Sequence, residues 1–170
     1  KLKFDNDGFI VNENLINQSD LEAIEKWISE LNDSKEVNHH YEKTVNGKVL
    51  SRTENFVSSH TSFREFLLSS SIKDYLTMLF DDEPILFKEK INYKYPGGAG
   101  YAPHQDAPAY PFGKKHITML LAIDDSDINN GCLEFARGRN NEGIINIDEK
   151  GCIDSLCLLY TSDAADELRS

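Results

Sequence analysis

An α+β domain, with helices in the first half and antiparallel sheet in the second, is the architecture this chain predicts. Three features point there. Apolar residues recur at helical spacing as far as Phe80, strand-like runs take over from Ile85, and no internal repeat or low-complexity linker interrupts the change. The 170 residues suit one domain that buries a core without disulfides or a structural metal.

The elements follow in order. Gly8-Phe9-Ile10-Val11 reads as a short strand. Ser19-Asp20-Leu21-Glu22 has capping-box spacing, and Leu21, Ile24, Trp27, Ile28 and Leu31 follow at helical period, which predicts the first helix. Thr44–Leu50 is a hairpin signal, because Asn46-Gly47 accepts the positive φ angles of a tight turn. Short helices are expected near Ser62–Leu68 and through Ile72, Tyr75, Leu76, Leu79 and Phe80. Asp81-Asp82-Glu83-Pro84 closes this half. Ile85–Tyr95 then reads as a long strand broken by Pro96-Gly97-Gly98-Ala99-Gly100, and His116–Ile123 and Cys132–Phe135 read as later strands.

Composition narrows the function. With 29 acidic and 18 basic residues the net charge is -11, the wrong sign for neutralising phosphates, so nucleic acid is not an expected partner. No apolar run is long enough to span a bilayer. The start lacks both a signal-peptide stretch and an initiator Met, so the native beginning is expected upstream. Cys132, Cys152 and Cys157 are an odd, unpatterned set that suits a reducing compartment, and a cytoplasmic protein is expected. Oligomeric state has no signal. The stretch Cys157–Glu167 reads as the in-frame translation of a transposon-end adapter used in DNA sequencing libraries. Residues 157–170 are therefore expected to be non-native, with native sequence ending near Leu156.

His104-Gln105-Asp106 carries the chemistry. On a strand, residues i and i+2 share a face, so an imidazole and a carboxylate at this spacing reach one metal ion. They supply two of the three ligands of a 2-His-1-carboxylate triad, which leaves iron positions open for substrate. Alone the tripeptide is weak, because His-x-Asp also arises by chance with an ordinary structural role.

Its setting is more specific. Lys88–Asp106, including Tyr95-Pro96-Gly97-Gly98 and His104-Gln105-Asp106, then His116-Ile117-Thr118-Met119, then Asn129-Asn130-Gly131-Cys132-Leu133-Glu134-Phe135, resembles the phytanoyl-CoA dioxygenase family, in order from about Phe9 to Asp154. The resemblance implies a double-stranded β-helix (jelly-roll, cupin-like) core flanked by N-terminal helices and incomplete at the C-terminus, with residues 1–156 a partial domain. It also implies an oxygenase that uses Fe(II), 2-oxoglutarate and O2 to hydroxylate a small organic substrate while forming succinate. His104 and Asp106 match the first two iron ligands. Halogenating relatives lack that carboxylate, so hydroxylation is the expected outcome here.

By the same similarity Asn92 and Thr118 are co-substrate contacts, with a sheet-stabilising role as the alternative for each. Gln105 orients the surroundings of the metal, and Lys90 is a weaker co-substrate candidate. The family's distal His and its 2-oxoglutarate-pairing Arg have no counterpart: the last histidine is His116, and the only Arg after Arg139 is Arg169, inside the tail. Little turnover is therefore expected from this fragment. His116 is read as strand packing, and His39, His40 and His60 as surface residues. Arg137 and Arg139 read as a solvated turn, with an anionic substrate group as the alternative. Tyr101, Tyr110 and Phe112 with Pro103, Pro108 and Pro111 form either a mouth over the site or core. A non-catalytic jelly-roll binding domain is the competing function. A cupin-like hydrolase or isomerase with another metal would need further ligands near His104, and the sequence offers none at metal-site spacing.

Overall fold

The computed structural model describes residues 1–45, 47–97, 100–110, 115–145 and 152–153. Two compact units divide the chain, one of Asn12–Ala99 with Leu121–Gly131, the other of Lys1–Val11, Gly100–Leu120 and Cys132–Ser170. The adapter-like tail from Cys157 lies outside the described residues, as do Pro111 and Phe112.

In the first of these units, α2 (Gln18–Asn32) begins where Asn17 and Asp20 cap each other's backbone N–H groups. The capping box thus lies two residues before the Ser19/Glu22 pair, since the Asn and Asp side chains close the reciprocal bonds there. Replacing Asn17 with Ala should cost about 1 kcal/mol, read as a lower urea midpoint. Ile24, Trp27, Ile28 and Leu31 fall at the spacing of one helical face. They pack with Val37, Phe56 and Phe63, and Phe66, Leu67, Ile91 and Ile123 close the cluster. Phe63 comes from α3 (Thr61–Leu67), and α4 (Ser70–Phe80) buries Ile72 and Leu79. Both helices stand where helical spacing put them.

The hairpin forms as expected and is longer. β1 (Asn38–Thr44) and β2 (Gly47–Glu54) pair antiparallel across a two-residue loop, and Gly47 takes a φ of 120°, open to glycine alone. Ser51 is an extra residue in β2, a bulge between the His40–Arg52 and Tyr41–Leu50 pairs, and its hydroxyl donates to His40 O. β3 (Lys90–Asn92) joins the other edge of β2. Register sets two faces. His39, Thr53 and Ile91 form one row, in which Thr53 is fully buried and bonded to the His39 ring and the Tyr93 hydroxyl. His40, Arg52 and Asn92, with Glu54 and Lys90, line the opposite face.

Several expected strands are absent. The long strand over Ile85–Tyr95 shrinks to β3, and Cys132–Phe135 and His116–Ile123 form none. From His116 to Ile123 exposure still alternates residue by residue. The side-chain pattern of a strand is therefore there, but a strand also needs a hydrogen-bonded neighbour, and no ladder reaches these segments among the described residues. The described sheet is a three-stranded antiparallel one, β1-β2-β3, beside helices, in keeping with the α+β expectation.

In the other unit, Gly8-Phe9-Ile10-Val11 is not a strand. A helix the sequence did not announce, α1 (Leu2–Asp7), precedes it and ends on Gly8 at φ 82°. The Asn140 side chain lies 2.7 Å from where a Cβ on Gly8 would stand. The apolar run then serves packing: Phe9 is buried and stacks on Phe135 at 4.9 Å.

Candidate metal centre

His104 and Asp106 stand in a loop rather than on a strand, and Asp106 precedes a 3-10 turn, Ala107–Ala109, with Pro108 inside it. The loop nonetheless turns the two side chains toward one another. His104 Nε2 lies 3.6 Å from Asp106 Oδ1, beyond hydrogen-bond reach, so the groups face each other without joining. On the far side, His104 Nδ1 is 2.8 Å from Ala102 O. A carbonyl only accepts, so Nδ1 carries a proton and Nε2 is the ring nitrogen turned toward Asp106. Both side chains are close to half exposed.

Two neighbours of the pair have defined partners. Thr118 donates its hydroxyl to Asp106 Oδ2 at 2.7 Å. Gln105 turns to the chain beyond: its amide donates to Gly143 O at 3.0 Å and accepts from Ile145 N–H at 2.9 Å, tying Gly143–Ile145 to the loop. Tyr101 lies 6.4 Å from the His104 ring, and Tyr110 lies 5.8 Å from His116.

Lys90 and Asn92 belong to the other unit, on the polar face of the sheet. Sequence reasoning missed what that face holds. Glu54 is 7% exposed and is ringed by Arg52 Nε at 3.1 Å, Lys88 Nζ at 3.1 Å and His40 Nε2 at 3.2 Å. Burial pushes its pKa up, but Lys88, Arg52 and His40 outweigh that and hold it below the ordinary carboxylate value. The signal was available only through register, because the cations come from three chain segments. A shallow cleft in the same unit, lined by Asn55, Val57, Ser58, Arg64, Leu86 and Glu89, includes none of the expected site residues.

Three histidines expected at the surface have structural work. His39 joins Thr53 to Ser34 O, His40 pairs with Glu54, and His60 accepts from Phe63 N–H at the start of α3 while its other nitrogen meets Glu30 at 3.1 Å. Arg137 pairs with Asp7 and lies over the Phe9 ring, and Arg139 pairs with Glu142, so the turn arginines have partners inside their own unit. Among the described residues Cys132 and Cys152 form no disulfide.

The donor set suits a divalent cation. Ligand atoms about 2.1 Å from one ion can be bridged by it across the gap between Nε2 and Oδ1, and a neutral imidazole with a carboxylate is the mixed nitrogen and oxygen set that ferrous iron accepts. Among the described residues no third His, Cys, Asp or Glu joins them. No helix of the described residues is long and apolar enough to cross a membrane.

The family model described as phytanoyl-CoA dioxygenase (PhyH) matches residues 4–150. The chain is 39% identical over 151 residues to a methylphosphonate hydroxylase of Gimesia maris, covering 86% of this chain and 58% of that protein. It is 36% identical over 161 residues to a 2-aminoethylphosphonate dioxygenase of an uncultured bacterium, covering 90% and 62%. With dioxygenase lolE1 of Epichloe uncinata the identity is 33% over 131 residues, covering 74% and 51%. The chain thus spans less than two thirds of the length of each relative. No solved structure matches it. The ordered motifs around His104 and Asp106 and the match along residues 4–150 agree, and the chain belongs to the phytanoyl-CoA dioxygenase family.

Proposed function

We propose that this chain is part of a non-haem Fe(II)- and 2-oxoglutarate-dependent oxygenase that hydroxylates a small organic molecule, on a jelly-roll core to which the described sheet contributes. The observation that carries the reading is the His104–Asp106 pair, whose metal-facing atoms are turned together at 3.6 Å while each side chain is bonded on its far side. In this role His104 and Asp106 hold the metal. When bound, ferrous iron supplies the oxygen chemistry that converts 2-oxoglutarate and O2 to succinate and CO2 and a substrate C–H to C–OH.

The chain's own residues do the holding. The Ala102 carbonyl keeps His104 in the tautomer that can ligate, and Gln105 pins the loop through Gly143 and Ile145. Within the sheet, Asn92, and more weakly Lys90, share a face with Arg52 and are the proposed donors to an anionic group. The proposed substrate is a small phosphonate, supported by two relatives named for phosphonates that are similar over 86% and 90% of this chain.

Anaerobic titration tests the proposal. Fe(II) should bind weakly to this chain and His104→Ala should abolish that binding. Admitting air with 2-oxoglutarate and methylphosphonate should yield little succinate, because no His follows His116 to complete the triad. Fe(II) binding indifferent to His104→Ala would refute the metal assignment and favour a non-catalytic binding domain.

A further inference from the structure

Asp106 has two oxygens, and only one can meet the metal side of His104 without the other needing a partner. The torsion that sets which oxygen does so is soft, since a carboxylate turns broadly about its terminal bond. At 41% side-chain exposure, water competes for both oxygens. Thr118, twelve residues along the chain, places its hydroxyl 2.7 Å from Oδ2. Its β-branch leaves few side-chain rotamers, so the donor arrives already aimed. A hydroxyl has one proton, and here that proton goes to Asp106.

We infer that Thr118 is a positioning residue for Asp106, locking the carboxylate with Oδ1 toward His104 Nε2, as the Ala102 carbonyl locks His104 from the other side, in place of donating to 2-oxoglutarate. The inference rests on the proposal that His104 and Asp106 hold the metal. Its consequence is read in metal affinity, with no turnover required.

Co(II) serves as the probe, titrated into the 170-residue chain by calorimetry and by its visible absorption bands. Thr118→Val, which keeps the branch and removes the donor, should weaken Co(II) binding about tenfold or more. Thr118→Ser should stay within about threefold of the parent, because the hydroxyl returns. Thr118→Ala repeats the test should the valine variant lose its far-ultraviolet circular dichroism. Unchanged affinity in the valine or alanine variant, with His104→Ala losing Co(II), overturns the role of Thr118 and leaves the metal pair standing. Co(II) binding that survives both His104→Ala and Asp106→Ala, or a parent chain that takes up no Co(II) at millimolar concentration, overturns the metal pair and this inference with it.

Discussion

Replacing Glu54 with Gln is expected to destabilise the chain by about 2 kcal/mol at pH 7, seen as a lower urea midpoint. Glu54 is buried at the end of β2, and its carboxylate answers the Arg52, Lys88 and His40 side chains gathered around it. An amide of the same size keeps the packing and removes the charge, leaving two permanent cations at the site without a counter-ion. Breaking a fully buried pair this way costs about 3–5 kcal/mol. The lower figure applies because Arg52 and Lys88 keep about a third of their side-chain surface in water. The pH dependence follows from the sign of the shift. The folded pKa lies below the ordinary 4.5, so the contribution is present above pH 4.5 and is lost as pH falls through the folded value. The gap between the parent and Glu54→Gln should therefore shrink toward pH 3. A gap that stays constant with acidification would mean that charge at Glu54 contributes nothing.

Phe63→Ala should cost more, about 3–4 kcal/mol. Phe63 is 4% exposed, with its ring 4.7 Å from Phe56 and 5.3 Å from Trp27, so truncation opens a cavity that α2 and α3 border. Trp27 is the only tryptophan, and its fluorescence reports unfolding of this core directly. Met78→Ala, at a position 45% exposed on α4, is the control and should shift the midpoint by less than about 0.5 kcal/mol. Equal midpoints for the two variants would show that the aromatic cluster does not hold the fold.

Local signals were legible and non-local ones were not. The helices α2, α3 and α4 and the hairpin each depend on spacing, caps or a turn within a few residues, and each formed. α1 is too short to show a period, and the run Phe9-Ile10-Val11 looks the same whether it is a strand or a packing tail. Past Ile85 only β3 survives of the expected strands, for a different reason: alternation reports which side chains point inward, whereas a strand exists only when another segment bonds to it. At the site the same division holds. His104 and Asp106 are two residues apart and could be paired by eye. Thr118 reaches Asp106 from twelve residues away through a loop, and the ring around Glu54 gathers His40 of β1, Arg52 of β2 and Lys88 from just before β3.

The bulge at Ser51 separates the hairpin into halves that answer to opposite parity. A whole pair lost or gained between Leu50 and the loop leaves the pairs beyond the bulge, from His40 with Arg52 to Asn38 with Glu54, in their own register. The tip of this hairpin, where Val45 stands almost wholly in solvent, can thus change by whole pairs while the charged cluster at its base keeps its place.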